Sequence, residues 1–578
     1  MKILVVNLST GEQKERELPD PLMAGRYLSG YLVKEYVDPK VNPLSSENAL
    51  VFTAGILANT RTSTGSRLSV GCKSPLTGGL KEANAGGMGG DSIAGQGYRA
   101  LVFLGSLPQG KPAVFHLTQG GGKLDFESAI ACWGKGNEDT AAYLHEKFGR
   151  DYCVISIGQA GEQLRGAAGI AVTDAEGNPF RLAARGGVGA VMGSKGLKAI
   201  TIPLPPRSGR ELTKVARKSI TDFNKHVATS DRVGVLRSYG TASTVMPVQE
   251  MGGLPTRNFS KGKLPDATPI SGDYMREITL KRDGAGKPTH ACMTGCVIQC
   301  SNAFADENGE LLAAPVEYET IGLCGSNLEI ASLDGIAKIN RLCNNYGMDT
   351  IETGATLGVM MEAAELDKLP VGINREDLPR FGDVESALRV LRQVPMGTPM
   401  GKLVSGGVVA AGKALGVKRI PAVKGQAMSA YDPRVIKGTA VTYATSPQGA
   451  DHTAGLTVFF PIDHRDPKLA VKFSRIAQLQ RAAYDALDLC VFNTSATGQH
   501  PDIVLEMLRK VYDVDLPDNW LDIVGRKVID LEIEFNRAAG LTTADDRIPD
   551  FFKEEALTDP VTTVFDVPDE ELDAIWAN

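Results

Sequence analysis

The chain reads as an α+β protein: a β-rich first domain followed by two mainly α-helical domains. Three observations predict this. Short apolar runs separated by turn signals fill the first 207 residues. The stretch Pro203-Leu-Pro-Pro-Arg-Ser-Gly209 then breaks the pattern as a linker. Beyond it, apolar residues recur at helical spacing.

The strand candidates come in order as Ile3–Leu8, Leu50–Thr53, Leu101–Leu104, Ala113–Leu117, Cys153–Ile157 and Leu197–Ile202. Turn sequences such as Gly110-Lys-Pro and Asp174-Ala-Glu-Gly-Asn-Pro separate them. Helical periodicity follows over 211–230, 333–345, 350–366 and 384–394, with Ile336, Ile339, Leu342 and Cys343 marking one segment. It resumes over 467–489, where Leu469, Phe473, Ile476 and Leu479 share a face, and over 519–540. The expected domains are 1–207, 208–416 and 417–578, with the second boundary at Gly416.

Bulk properties exclude several classes. At 43% hydrophobic and 22% charged residues the composition is that of a soluble globular protein. A net charge of −6 argues against a general nucleic-acid surface and gives no sign of membrane binding. No stretch approaches the ~18 apolar residues of a membrane span. The opening Met1–Ser9 is too short an apolar run for a signal peptide, so a cytoplasmic location is expected. Nine cysteines in 578 residues are no disulfide framework.

Three of those cysteines stand in one run, Cys292-Met-Thr-Gly-Cys296-Val-Ile-Gln-Cys300. A fourth, Cys490, ends Asp485-Ala-Leu-Asp488-Leu489-Cys490. Three near thiolates and one remote one suit an iron–sulfur cluster, whose four corners need soft ligands from converging directions. Four thiolates also make a closed structural zinc site, so zinc is the alternative. Cys72, Cys132, Cys153, Cys324 and Cys343 read as buried small hydrophobes.

The phrase ending in Cys490 has a counterpart, Asn344-Asn-Tyr-Gly347-Met-Asp349. There the spacing predicts a helix ending at Asn344–Tyr346, a left-handed stop at Gly347, and Asp349 capping a helix from Thr350. Taken alone it is a helix–turn–helix corner. Two like-built corners, one in each helical domain, suggest two like ligands side by side.

These strings resemble the tungsten-dependent aldehyde:ferredoxin oxidoreductases, whose Asp-x-x-Gly-Leu-(Asp/Cys) corners match Asn344–Asp349 and Asp485–Cys490. The resemblance runs almost end to end. Arg67–Gly78 and Asn84-Ala-Gly86-Gly87-Met-Gly89 are similar to the family's pterin-phosphate loops. Arg185-Gly186-Gly187-Val-Gly189 opens its most specific string, and Lys424-Gly-Gln, Tyr431–Arg434 and Ser446–His452 follow in order. Gly-rich turns can expose N–H groups to phosphates, and Arg67 offers a forked cation, which the resemblance puts between a pterin and the cluster.

The resemblance implies cofactors at the domain interface: a tungsten (or molybdenum) bis-pyranopterin and one [4Fe–4S] cluster, with room for a magnesium ion bridging the pterin phosphates. It assigns Arg67, Asn84, Gly86, Gly87, Arg185, Gly186, Gly187, Gly189, Asn344, Gly347, Asp349, Asp485, Asp488 and Leu489 to the pterins, and Cys292, Cys296, Cys300 and Cys490 to the cluster. It places an active-site histidine at His452. The second proton carrier comes from Pro315-Val-Glu317-Tyr-Glu319; spacing from the cysteine run and the first corner favours Glu319, with Glu317 in reserve. Three departures stand out: Cys292 and Cys296 are separated by three residues instead of two, Asn344 replaces an Asp, and Asp488 replaces a Gly.

The activity implied is oxidation of a small aldehyde to a carboxylic acid, with electrons leaving through the cluster to ferredoxin or an iron–sulfur subunit, as a homo- or hetero-oligomer. Two alternatives are an aromatic thioester as substrate of the same cofactor, and a pterin- or zinc-binding scaffold without redox function.

Overall fold

The computed structural model describes residues 1–118, 125–206, 208–366 and 369–577; residue 207, the expected end of the first domain, lies outside them. The first 203 residues carry two six-stranded mixed sheets. One runs in the order Gln13–Glu17, Lys2–Asn7, Tyr98–Leu104, Leu50–Ala54, Leu68–Lys73 and Leu80–Ala85. The other runs Arg181–Ala183, Ile170–Val172, Tyr152–Ser156, Leu197–Pro203, Ala113–His116 and Asp125–Ser128. Every strand read from the sequence is present. The two inner faces share one core, in which the rings of Phe103 and Phe115 meet edge-on at 5.0 Å.

Register within the first sheet matters for the site. Ser69 lies opposite Asn84, so one face of the pair presents a hydroxyl and an amide side by side. The helix Gly25–Tyr36 packs on this sheet and also against the helices Pro467–Ala486 and Trp520–Ala539.

The rest of the chain is mostly helical. The helix Leu333–Tyr346 buries Ile336, Ile339 and Cys343, as its periodicity requires. Pro467–Ala486 differs from expectation. Its buried face is Ala470, Ser474, Ala477, Gln478 and Arg481, while Ile476 is 43% exposed. The reason is close approach: a side chain at Gly525 on the neighbouring helix would collide with the Leu479 carbonyl. Helices this near have room only for small residues between them. Among the described residues, no helix is long and apolar enough to cross a membrane.

Candidate functional site at two matching corners

The two corners share one backbone motif. At the first, Met348 N–H donates to Cys343 O at 2.8 Å and Gly347 N–H to Asn344 O at 3.3 Å. At the second, Leu489 N–H donates to Tyr484 O at 3.0 Å and Asp488 N–H to Asp485 O at 3.1 Å. Gly347 has φ +71° and Asp488 φ +55°, so both helices end on a left-handed residue. Asp349 then caps Thr350–Ala363, its Oδ1 accepting from Ile351 N at 2.9 Å.

Each corner is gathered by an arginine. Arg185 approaches Asp349, Nε to Oδ2 at 3.3 Å, and its Nη groups hold Ser429 Oγ at 3.2 Å and the carbonyls of Ala427 and Ala450. Arg67 bonds the Asn84 side chain and reaches Cys490 Sγ at 3.9 Å. Asn84 Nδ2 and Ser69 Oγ both donate to Asp488 Oδ1 at 2.7 Å. Leu489 is buried, and Asp485 is flanked by Arg26 at 3.4 Å and Arg481 at 3.5 Å.

The glycines of the two loops are spoken for by packing. Gly87 N–H donates to Cys292 O at 2.8 Å, and a Cβ on Gly86 would sit 3.3 Å from Cys292 Sγ. These two residues therefore seat the cysteine run against the first sheet. Side chains at Gly186, Gly187 and Gly189 would strike Lys81, Pro75 and the Gly169 carbonyl respectively.

Cys292, Cys296, Cys300 and Cys490 come together: Cys292 acts on each of the other three, and Cys300 also feels Cys490. Cys292, beside the Cys296 thiol, is pulled down to about 5, whereas burial pushes Cys490 up. Among the described residues, only Asp174, Glu176 and His290 place three possible ligand atoms within 4.8 Å of one another. No three cysteine sulfurs meet that closely. A tetrahedral zinc at ~2.3 Å bond length would hold its sulfurs about 3.8 Å apart, closer than any three of these sulfurs stand. The Asp174–Glu176–His290 group is itself hydrogen-bonded. Arg181 donates to His290 Nδ1 at 2.9 Å, which leaves the ring proton on Nε2, facing Glu176 at 3.3 Å and blocking a cation there.

Glu317 and Glu319 face opposite ways. Glu317 accepts from Thr241 Oγ1 and lies beside Arg181, Arg67 and Cys292, on the cysteine side. Glu319, in the first turn of Tyr318–Cys324, accepts from Ala430 N at 2.8 Å through Oε2. Its Oε1 stands 3.5 Å from His452 Nε2 and has no hydrogen-bond partner. Burial pushes Glu319 above the usual carboxylate range, against the pull of His452. Ser429 Oγ meets His452 Nδ1 at 3.1 Å and fixes the ring.

Several polar atoms around these groups are buried without a hydrogen bond: Glu82 Oε1, Tyr443 Oη and Asp488 Oδ2, and with only the longer ion-pair contacts given above Arg185 Nε, Asp349 Oδ2, Glu319 Oε1 and Arg481 Nη1. Native interiors rarely leave so many donors and acceptors unmet in one region, so the lining is built for a polar group rich in hydrogen bonds. A pterin with its phosphate fits that description.

Sequence reasoning missed the buried supports. Lys81 pairs with Asp451 at 2.6 Å, and Arg26 with Glu532 at 2.7 Å across 506 residues. Asp451 lay inside a string already singled out. Lys81 and Arg26 carried no local signal, because their partners are brought to them by the fold. Tyr443 was also missed.

Two family models match the chain: "Aldehyde ferredoxin oxidoreductase, N-terminal domain" over residues 3–203, and "Aldehyde ferredoxin oxidoreductase, domains 2 & 3" over 218–575. The tungsten-containing aldehyde ferredoxin oxidoreductase of Pyrococcus furiosus is 32% identical, with 96% of this chain and 92% of that one covered. A protein of the same organism described as "Aliphatic sulfonate oxidoreductase, WOR-like subunit" is 26% identical over 92% of this chain and 85% of its own. Among solved structures, the BamBC active-site complex of benzoyl coenzyme A reductase, in complex with 1,5 dienoyl-CoA, shares the fold. Its TM-score is 0.75 at 18% identity, covering 95% of this chain and 90% of that one. The chain is an oxidoreductase of the tungsten-containing aldehyde ferredoxin oxidoreductase family.

Proposed function

We propose that this oxidoreductase converts an aldehyde and water to a carboxylic acid, releasing two protons and two electrons. The observation that carries the reading is Glu319 Oε1, a buried carboxylate oxygen without a full hydrogen bond, 3.5 Å from His452 Nε2. A bis-pterin tungsten centre held between the corners would supply the Lewis acid and the electron sink. Arg67, Asn84, Asp485, Asp488 and Leu489 would hold one pterin, and Arg185, Asn344, Gly347 and Asp349 the other. Molybdenum in place of tungsten, or a magnesium ion between the pterin phosphates, would leave these assignments unchanged.

Glu319 takes the proton of the water that attacks the carbonyl carbon, and the Ala430 N–H keeps Oε1 turned toward it. His452, held by Ser429, orients the substrate. Cys292, Cys296, Cys300 and Cys490 would hold a [4Fe–4S] cluster, which would supply one-electron transfer toward a ferredoxin or an iron–sulfur subunit. Glu317, on the cysteine side, takes no part in the proton step.

Elemental analysis tests the cofactors: about four irons per chain with tungsten or molybdenum is expected, and zinc alone would defeat the assignment. Dye-coupled assays with short and aromatic aldehydes test the substrate; turnover of an aromatic thioester without any aldehyde would redirect it. Glu319→Gln should keep the metals and lower kcat by on the order of 10²- to 10⁴-fold. A base works only when charged, so kcat/KM should rise with pH through the Glu319 pKa. Burial sets that limb above the ordinary glutamate value of 4.5. The limb should vanish in Glu319→Gln while Glu317→Gln retains it.

A further inference from the structure

Tyr443 lies in the helix Lys437–Thr445, with every residue of that helix buried. It is 0% exposed; the Ser429 hydroxyl acts on its oxygen, but its own O–H has no acceptor. A buried phenol normally finds an acceptor, because an unmet O–H loses its hydration with nothing to replace it. The groups that act on it are Glu319, Ser429, Arg185 and Asp451, the same residues that surround and hold His452.

The setting keeps the hydroxyl a donor. Burial and the Glu319 charge push its pKa well above the ordinary tyrosine value, so the O–H is intact at any working pH. The other two phenols at this place are differently used. Tyr318 Oη donates to Ala430 O at 2.6 Å, and the Tyr431 hydroxyl acts on Glu319 while its ring packs 5.2 Å from Tyr318 and 6.5 Å from His452. Glu319 Oε1 is held only loosely, with His452 Nε2 at 3.5 Å and the Tyr431 hydroxyl acting on the same carboxylate, and Tyr443 Oη is a donor without an acceptor, yet Glu319 and Tyr443 do not bond to each other. Two complementary unmet groups that share a site but do not pair are arranged around a third molecule.

We propose that Tyr443 is a catalytic residue whose hydroxyl donates a hydrogen bond to the carbonyl oxygen of the substrate, opposite the carboxylate that activates water. This rests on the reading above that the substrate carries a carbonyl group. As the water oxygen bonds to the carbonyl carbon, the C=O π bond opens and negative charge gathers on that oxygen. A fixed donor stabilises it there, and the proton lost by the water goes to Glu319. The tyrosine itself neither gains nor loses a proton.

The experiment uses the metal-loaded enzyme, with propionaldehyde as substrate, a viologen dye as acceptor and propionamide as an unreactive carbonyl probe. Tyr443→Phe keeps the ring and removes only the donor. Its iron and tungsten content should match wild type, its kcat/KM should fall by on the order of 10²-fold, and its affinity for propionamide by calorimetry should fall about tenfold. Tyr431→Phe should leave amide affinity closer to wild type. Unchanged kcat/KM and amide affinity in Tyr443→Phe would overturn the proposal. Should that variant lose its metals, a crystal structure of wild type with propionamide decides. The amide oxygen within about 3 Å of Tyr443 Oη supports the assignment, and an oxygen bonded elsewhere removes it. If wild type oxidises no aldehyde while Tyr443→Phe still binds the amide more weakly, the aldehyde reading fails and the role of Tyr443 as carbonyl donor stands.

Discussion

The two corners have the same backbone and opposite demands on the residue at the left-handed position. At Gly347 the space a side chain would need is taken: a Cβ would lie 2.8 Å from Gly158 N and 3.3 Å from Asn137 Nδ2. At Asp488 a side chain is present and bonded to Ser69 and Asn84. Its room comes from elsewhere in the chain. Gly55 and Gly25 lie against it, and a Cβ on Gly55 would come 2.8 Å from Asp488 Cβ. The left-handed conformation alone therefore does not dictate glycine; the packed neighbour does. Where the chain put a carboxylate into the second corner, the facing loops are bare.

The largest expected effect is at Gly25, the first residue of its helix, with φ +47°. A Cβ there would fall inside contact distance of the Asp485 carbonyl and 3.0 Å from Asp488 Cγ. Backbone cannot step aside as a side chain can. Gly25→Ala should cost about 3–5 kcal/mol from left-handed strain and overpacking together. It should also shift the segment that carries Cys490, so iron per chain should drop along with the melting temperature. Iron content at the wild-type level in a stably folded Gly25→Ala protein would show that the second corner tolerates displacement, and the contrast between the corners would lose its basis.

Gly347→Ala should come next, at about 2–3 kcal/mol, from left-handed strain of about 1 kcal/mol plus the clash with Gly158. Its effect should appear in the melting temperature with iron retained, because this corner carries no cysteine. A loss smaller than that of Asp488→Gly would reverse the ranking of the corners.

Much of this arrangement was legible in the sequence, for reasons that can be named. The first corner was readable residue by residue, since Gly347 and Asp349 are local signals that act within one turn. The grouping of Cys292, Cys296 and Cys300 was readable because spacing within one run is a local property, whereas the approach of Cys490 depends on the fold. The direction of Glu317 against Glu319 was not, as it depends on Thr241 and Ala430 arriving from distant segments. The buried face of Pro467–Ala486 was misread because hydrophobicity predicts burial only where there is room, and the neighbouring helix leaves none. Asp488 was recognised as a departure, but its partners across 404 and 419 residues could not be inferred.

The smallest effect is the most informative about that departure. Asp488→Gly restores the residue the resemblance expects and relieves about 1 kcal/mol of left-handed strain. It also strips the acceptor from two buried donors, Ser69 Oγ and Asn84 Nδ2. Orphaned donors cost about 1–3 kcal/mol, but these two stand 3.2 Å apart and can bond each other, so the net loss should be only about 1 kcal/mol. Ser69→Ala removes one donor in advance. In that background Asp488→Gly should cost less than in wild type, with a coupling of about 0.5–1 kcal/mol by melting temperature. Strict additivity would mean that the Asp488 carboxylate does not depend on Ser69. Its unpartnered Oδ2 would then be the working atom, turned toward whatever occupies the corner.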